Sequence, residues 1–104
     1  MEKTIVHYKL KPGKVEENEK LVRAVYRELH EQAPEAFSYA TYKLPDGVSF
    51  VHIAINDTNE KSPLSSLAAF KAFQAGIKDR CDEQPVVSAA TEIGSYGFAF
   101  ASGV

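Results

Sequence analysis

His52 is the side chain of this sequence that is best placed for chemistry. It lies within residues 37–55, FSYATYKLPDGVSFVHIAI, an apolar stretch that has the clearest strand pattern in the chain. An unperturbed imidazole changes charge between about pH 5 and 8, so a histidine can accept or donate a proton near neutrality. The chemistry that this position offers is therefore proton transfer in a largely apolar setting.

The residues around His52 depend on how this stretch turns. Pro-Asp-Gly at 45–47 matches a type I turn followed by a glycine in the left-handed conformation, which favours a three-residue loop with a glycine bulge. A two-residue Asp-Gly turn, which would shift the pairing by one residue, ranks second because it leaves Pro45 in the ladder. The pairs predicted by the first turn are Leu44 with Val48, Tyr42 with Phe50, Ala40 with His52, and Ser38 with Ala54.

The two faces of the predicted hairpin differ in character. Val51, Ile53 and Ile55 form an aliphatic set that is predicted to face the helices. The face of His52 mixes large rings with small residues, a combination that can leave a concave, half-polar space suited to a ligand. A plainer interpretation stays open, in which His52 is a hydrogen-bonded histidine on a partly covered sheet face. The predicted His52 face also contains Ser38, Ala40, Tyr42, Leu44, Val48, Phe50 and Ala54.

The rest of the chain predicts an α+β fold with the order β-α-β-β-α-β. Short domains of this order commonly form a ferredoxin-like sandwich, in which both helices cover one face of a four-stranded antiparallel sheet. In the first strand, Val6, Tyr8 and Leu10 are predicted to face the helices, and His7 then shares the sheet face of His52. The predicted elements are a strand at 4–10, a helix at 15–33, the hairpin at 37–55, a helix at 63–80, a turn at 82–85 and a strand at 86–93.

Helices on one face leave the other face of the sheet open. That face is predicted to expose Ile5, Tyr42, Leu44 and Phe50, and an apolar patch of this extent usually marks an interface. The simplest closure is a second copy packed sheet against sheet about a two-fold axis, which would place His52 near a cleft between subunits. A partner that fills the His52 face completely, and so leaves no cavity, is the alternative.

The chain ends in an unusually apolar segment, IGSYGFAF at 93–100. The strand pattern of 86–93 can continue through Tyr96, Phe98 and Phe100, with Gly94 and Gly97 marking a bulge or a bend. An aromatic terminus of this kind is expected to dock against another surface.

Length and composition restrict the classes of protein to consider. The 104 residues are expected to form a single domain, 1–104, with a modest core. The net charge is −2 and no basic stripe is present, so we expect no nucleic-acid partner. One cysteine excludes an internal disulfide and a multi-cysteine metal site. No signal-peptide pattern and no apolar run of roughly 20 residues is found, so we expect a cytoplasmic protein without a membrane partner.

Other catalytic constellations have weak support. No glycine-rich phosphate loop, paired-histidine zinc motif or nucleophile elbow is present, although a Ser-His-acid triad stays open. His7 and His52 could approach each other on adjacent strands and bind a metal with Glu92 or Asp57. Cys81 is most simply a small buried apolar residue, because no base or charge in the sequence activates its thiol.

Four stretches together resemble a known family. The opening VHYKLKPGK, the acidic start of the first helix, the hairpin, and AFKAFQAGI in the second helix are similar to the antibiotic biosynthesis monooxygenase-like proteins. The resemblance covers almost the whole chain, and its motifs are structural rather than catalytic. It implies a dimeric α+β barrel in which the open face of each sheet lines the interior, and the last strand often reaches across to the partner.

The resemblance also implies an activity and roles for residues. Characterised members oxidise aromatic polyketides or quinols with molecular oxygen and without metal or flavin, so no cofactor is expected. A polar group deprotonates a phenol in a mostly apolar pocket, and the anion then reacts with oxygen. His52 is the candidate base, Tyr42, His7 and Tyr8 are candidate hydrogen-bonding partners of the substrate, and Phe50 is a candidate substrate contact.

The sequence lacks two features of haem-degrading relatives, which narrows the activities that the resemblance implies. Haem-degrading relatives ligate iron with a histidine of the second helix and also use a Trp and an Asn, whereas this chain has no Trp and carries Gln74 where that histidine would be expected. Haem degradation is therefore discounted. The alternative to an oxidoreductase is a non-catalytic dimeric barrel that binds a small ligand or serves a pathway-accessory or stress role, since this fold does not by itself imply an activity.

Overall fold

The computed structural model describes residues 2–98, and its strands and helices follow the predicted order. Phe100, the last residue of the predicted C-terminal strand, lies outside the described residues. Within residues 2–98, none of the helices has the length and apolar character needed to cross a membrane. The strands are β1 (Glu2–Leu10), β2 (Phe37–Lys43), β3 (Ser49–Asn56) and β4 (Cys81–Ala90), and the helices are α1 (Val15–Gln32), a 3-10 turn (Pro63–Ser66), α2 (Ala68–Ala75) and α3 (Ile77–Arg80).

The four strands form one antiparallel sheet in the order β2-β3-β1-β4. Helices α1 and α2 pack against each other and against one face of this sheet, so the predicted α+β, ferredoxin-like class is confirmed. The largest fully buried side chains in this layer include Tyr8, Leu10 and Val25. The predicted orientation of β1 is therefore confirmed, with its even-numbered residues facing the helices. The buried core consists of Tyr8, Leu10, Val22, Val25, Phe50, Leu64, Leu67, Phe73 and Cys81.

The predicted hairpin register was wrong by one residue. Thr41, rather than Ala40, lies opposite His52, and Tyr42 lies opposite Val51. The Asp46 carboxylate explains the shift, because it accepts hydrogen bonds from the backbone N–H of Val48 and Ser49 at 3.0 and 2.8 Å and so extends the loop to residues 45–48. The register is the one that a two-residue turn would give, yet this longer loop keeps Pro45 out of the ladder.

The predicted assignment of the faces of β3 was also wrong. His52 pairs with Val6 of β1, and both side chains lie on the face that the helices cover. Val51, Ile53 and Ile55 therefore lie on the open face, where His7 of β1 joins them. Phe50 and His52 of β3 are therefore buried, whereas Val51, Ile53 and Ile55 are partly exposed. The buried residues Tyr8 and Leu10 of β1 determine which face of the sheet the helices cover.

The open face is apolar, as predicted, although its membership differs. Tyr42 is 56% exposed, and Ile5 and Leu44 are also exposed large hydrophobic residues, which confirms three of the four predicted members. Phe50, the fourth, is buried beneath the helices because it pairs with Tyr8 on the covered face.

The second helical region is broken into three short pieces rather than the single predicted helix. Leu67 adopts an extended conformation between the 3-10 turn and α2, and Gly76 separates α2 from α3. At the first break, the Glu28 carboxylate of α1 accepts a hydrogen bond of 2.8 Å from the backbone N–H of Ala69, and so caps α2 from outside the helix. This contact joins α2 to α1 and fixes the wall that α2 forms above the sheet.

Strand β4 begins and ends earlier than predicted. It runs from Cys81 to Ala90, so the predicted turn at 82–85 is instead part of the strand. The pairing with β1 shifts register near this point, and β4 is an edge strand, where Pro85 removes no hydrogen bond from a central ladder. The segment 91–98 that follows is not a strand, and Ile93 and Tyr96 are 96% and 97% exposed.

Candidate functional site

His52 is buried between the sheet and the helices, and both of its ring nitrogens have hydrogen-bonding partners. Its side chain is only 3% exposed. The Tyr8 hydroxyl oxygen lies 2.7 Å from Nε2, whereas the Tyr39 hydroxyl and Thr41 Oγ1 lie 2.8 and 2.9 Å from Nδ1. Strands β1, β2 and β3 each supply part of this arrangement, so the register of the sheet determines its geometry.

Aromatic rings surround the imidazole. The ring centroid of His52 lies 5.3 Å from that of Tyr8, 5.8 Å from Tyr39 and 5.5 Å from Phe73. Phe73 reaches the site from α2, so the helix covers the imidazole from above the sheet. Such rings exclude water and give the site a low dielectric constant, which strengthens any interaction with a charge that forms there.

A chain of buried polar groups extends from His52 into the core beneath α1. Asn18 Nδ2 donates to the Tyr8 hydroxyl at 2.9 Å, and Arg80 Nε donates to Asn18 Oδ1 at 3.1 Å. On the other side of His52, the Tyr26 hydroxyl lies 2.7 Å from Thr41 Oγ1. No buried side-chain nitrogen or oxygen among residues 2–98 is left without a partner, so the polar interior is fully satisfied.

Burial determines the charge state of these groups. Desolvation lowers the pKa of His52 from its ordinary value of 6.5 to about 4, so the imidazole is neutral at pH 7. Desolvation also raises the pKa of Tyr8 and of Tyr39 well above the ordinary value of 10.0, so both phenols keep their protons. The site at rest is thus an uncharged imidazole between two uncharged phenols.

A cleft of about 440 Å³ opens beside His52, between the sheet and α2. Its size lies within the range of about 300–1,000 Å³ that is typical of small-molecule sites. The residues described along its wall include no Asp, Glu, Lys or Arg, so the cleft favours an uncharged ligand. The aromatic lining is Tyr8, Tyr39, His52, Phe70 and Phe73, and the polar lining is Thr4, Ser62, Ser65 and Gln74.

The structure brings together only some of the residues that the sequence had grouped. Tyr8, Phe50 and His52 lie on the covered face, with the Tyr8 and Phe50 rings stacked at 5.7 Å, although Phe50 does not line the cleft. Tyr42 and His7 lie on the opposite face of the sheet, so they cannot contact a ligand bound beside His52. The predicted location of the cleft, on the open face near a contact of two sheets, was therefore wrong, because the cleft beside His52 lies under the helices of one chain.

The metal and thiol alternatives find no support in the part of the chain that is described. His7 and His52 point to opposite faces, and no group of three potential metal ligands occurs among residues 2–98. Cys81 is buried in the core, as expected, and burial raises the pKa of its thiol. A protonated, buried thiol is unreactive.

Sequence reasoning missed four polar residues of the site. Tyr39 and Thr41 were correctly predicted to face the helices but were separated from His52, because the hairpin register was shifted by one residue. Asn18 had a visible signal, since it precedes Val22 and Val25 on the buried stripe of α1, where a polar side chain is unexpected. Arg80, the fourth, had no such signal because a cation near a helix end is ordinary.

Solved structures share this fold. A Nitrosomonas europaea protein provisionally named an antibiotic biosynthesis monooxygenase has a TM-score of 0.74 at 16% identity, over 90% of this chain and 100% of its own. A crystal structure of an antibiotic biosynthesis monooxygenase has a TM-score of 0.70 at 17% identity, over 90% and 100%. A Caulobacter crescentus protein, provisionally named in the same way, has a TM-score of 0.64 at 18% identity, over 89% and 90%.

The similarity is one of fold. No family model matches the chain, and no curated protein matches it in sequence. The expected resemblance to the antibiotic biosynthesis monooxygenases is therefore confirmed at the level of architecture, over about 90% of the chain. The activity has to be inferred from the side chains around His52.

Proposed function

We propose that this protein is a cofactor-independent monooxygenase that oxidises an uncharged phenol or quinol in the cleft beside His52. One observation carries the proposal: a neutral imidazole, hydrogen-bonded to two phenols, adjoins an aromatic cleft without charged residues. An apolar cleft with a few convergent polar groups is the usual form of a small-molecule site. The structural similarity to proteins named as antibiotic biosynthesis monooxygenases supports the same reaction class.

In the proposed reaction, His52 is the final acceptor of a substrate proton. The O–H bond of the phenol breaks and an N–H bond forms on the imidazole, which leaves a phenolate and an imidazolium. The electron-rich anion then reacts with molecular oxygen. Where the ring carries a methylene group, that group loses two hydrogens and gains one oxygen atom as a carbonyl. In a quinol without one, a ring C–H becomes C–OH and the two hydroxyl hydrogens are lost as the ring becomes a quinone. In both cases the second oxygen atom leaves with two hydrogens as water, so the substrate supplies all the electrons.

The low pKa of His52 makes this proton transfer uphill but accessible. With a pKa of about 4 for His52 and about 10 for a phenol in water, the transfer costs at least about 8 kcal/mol, because desolvation in the cleft also raises the pKa of a bound phenol. Attraction between the two charges that form returns about 4 kcal/mol at 4 Å for an effective dielectric constant near 20. The remaining cost is well below the barrier of ~16 kcal/mol that corresponds to a turnover of about 10 per second.

Oxygen uptake with a panel of uncharged quinols and polyphenols tests the proposal. The variant His52→Ala should lose about 100-fold to 10,000-fold in rate, which is the usual contribution of a general base. His30→Ala, which removes an exposed histidine at the end of α1, is the matched control and should keep the wild-type rate. Equal rates for wild type and His52→Ala would remove His52 from the mechanism.

A non-catalytic binding role is the second candidate. It is favoured by the fact that both nitrogens of His52 already have partners, so the imidazole also serves to hold the sheet and its neighbouring phenols in place. In this case, calorimetry would detect a phenolic ligand bound in the cleft while no oxygen is consumed. If the wild type consumes no oxygen and His52→Ala still binds the ligand, a binding role is favoured over a monooxygenase.

We also infer that the protein acts as a homodimer. The open face of the sheet exposes Tyr42 and Ile5, and the segment that follows β4 exposes Ile93 and Tyr96. Monomers rarely expose contiguous apolar surface of this kind. A second copy packed sheet against sheet, with segment 91–98 reaching the partner, would bury both. The catalytic cleft would lie away from this interface, since it opens on the helical side of the sheet.

A further inference from the structure

Arg80 is a buried cation that no carboxylate among the described residues neutralises. Its side chain is 3% exposed, and none of the ion pairs within residues 2–98 involves it. Its guanidinium instead donates to the Phe73 carbonyl oxygen at 2.7 Å and lies 5.3 Å from the centroid of the Phe73 ring. Gly76 leaves space for it, because a Cβ there would lie 3.1 Å from Nη1. A buried charge without a counter-ion is costly, so its position requires an explanation.

The chemistry of Arg80 sets the direction of the hydrogen bonds that lead to His52. A guanidinium can only donate, so its Nε–H must meet the carbonyl oxygen of the Asn18 side chain. The amide nitrogen of Asn18 is thereby turned towards Tyr8 and donates to its hydroxyl oxygen. The proton of Tyr8 then has one remaining partner, the Nε2 atom of His52 at 2.7 Å.

We propose that Arg80 is a positioning residue that, through Asn18 and Tyr8, holds His52 in the tautomer that carries its proton on Nδ1. That proton is donated to the hydroxyl oxygens of Tyr39 and Thr41, at 2.8 and 2.9 Å. In this tautomer, each hydrogen bond from Arg80 through Asn18 and Tyr8 to Nε2 has one donor and one acceptor, and the hydroxyl proton of Tyr39, which lines the cleft, can point into it. In the opposite tautomer, Nε2–H and the Asn18 amide would both donate to Tyr8, whose own proton would have no acceptor in the network.

The tautomer has a consequence for the proposed reaction. Because the lone pair of Nε2 already receives the proton of Tyr8, a substrate proton reaches His52 through Tyr8. The substrate O–H bond breaks as a new O–H bond forms on Tyr8, and the original Tyr8 proton moves to Nε2. The step ends with a substrate anion, a neutral Tyr8 and an imidazolium. The buried charge of Arg80 stabilises the negative charge that builds up on Tyr8 during the transfer.

The tautomer can be measured directly in the ligand-free protein. Long-range proton–nitrogen NMR correlations of uniformly ¹⁵N-labelled protein distinguish the protonated ring nitrogen from the unprotonated one. The signals of His52 are identified by comparison with His7→Gln and His30→Gln, since the chain has three histidines. We expect the proton on Nδ1, and a proton on Nε2 in the wild type would overturn the proposal. The result does not depend on turnover, so it remains valid if oxygen uptake is absent.

The variant Asn18→Asp provides the sharper test. A carboxylate can still accept from Arg80, but it cannot donate to Tyr8, so the Tyr8 proton should turn towards Asp and away from His52. Nε2 should then become the protonated nitrogen and donate to the Tyr8 oxygen, which inverts the tautomer. The substitution keeps the shape of the side chain and neutralises the Arg80 charge. A folded Asn18→Asp protein that keeps its proton on Nδ1 would refute the role of the network.

Arg80→Met tests the cation itself. Without its donor, the Asn18 amide can rotate, and the single tautomer should be replaced by a mixture. Arg27→Met, which removes an exposed arginine of α1, is the matched control and should leave the His52 signals unchanged. If Arg80→Met retains one tautomer with the proton on Nδ1, then Arg80 does not set the direction of the hydrogen bonds that lead to His52. Amide spectra establish whether each variant is folded. If a variant is not folded, the tautomer measured in the wild type alone tests the proposal.

Discussion

Acidification should destabilise this protein through His52. Burial lowers the pKa of His52 to about 4 in the folded chain, whereas an exposed histidine of the unfolded chain keeps a value near 6.5. Below pH 6.5, the unfolded chain therefore binds a proton that the folded chain does not. The stability is fully present above pH 6.5 and is lost as the pH falls towards 4, below which both states are protonated and no further loss arises from this group.

The size of the effect follows from the two pKa values. The difference between 6.5 and about 4 corresponds to about 3 kcal/mol, of which about 2 kcal/mol is lost between pH 6.5 and 4.5. This is a large share of the roughly 5–15 kcal/mol that stabilises an ordinary domain. Two carboxyl groups lose their own contributions at lower pH. Hydrogen bonds lower the pKa of Asp46 to about 2, and Lys43 lowers the pKa of Glu19 below its ordinary 4.5.

Urea unfolding measured from pH 7 to 4.5 at a fixed protein concentration provides the assay. Wild type should lose about 2 kcal/mol over this range. His52→Gln, which cannot titrate, should be less stable at pH 7 but nearly independent of pH, so the two curves converge as the pH falls. His30→Gln serves as the control for an exposed histidine and should follow the wild type. Parallel curves for wild type and His52→Gln would show that His52 is not held neutral by burial.

Two further predictions concern the assembly and the wall of the cleft. Sedimentation at micromolar concentration should detect a dimer, and Tyr42→Asp on the open face should convert it to a monomer. Lys71→Asp, on the exposed side of α2, is the control and should leave the dimer intact. A monomeric wild type would contradict the inference that a second copy covers the open face. Glu28→Ala should lower the free energy of unfolding by about 1 kcal/mol, because it removes the external cap of α2. Glu31→Ala, on the exposed surface of α1, should have little effect in the same urea titration.

The fold was accessible from the sequence because local signals agreed with one another. The alternation of β1 identified Tyr8 and Leu10 as buried, and the heptad-like stripe of α1 located the helix that covers them. The second helix was predicted as one piece because Leu67 and Gly76 do not disrupt an apolar pattern. Its breaks depend on contacts that are distant in sequence, such as the cap that Glu28 provides.

The site was less accessible, because one residue of register decides it. Pro-Asp-Gly at 45–47 is compatible with loops of several lengths, and a slip by one residue exchanges the partners of every side chain in β2. Both faces of β3 are apolar, so hydrophobic alternation could not reveal which face the helices cover. The Asp46 carboxylate selected the longer loop, and β1 selected the face.

Charge and hydrogen bonding at His52 point to a site that is activated by its ligand. To become charged without a bound phenol, Nε2 would have to donate to a Tyr8 hydroxyl that already accepts from Asn18, and none of the carboxylates within residues 2–98 is hydrogen-bonded to the imidazole. In the proposed reaction, a bound phenol supplies what the imidazolium lacks, because its anion accepts the hydroxyl proton of Tyr8 and attracts the positive charge. In the proposed reaction, the burial that keeps His52 neutral at rest also strengthens the attraction between the imidazolium and the substrate anion.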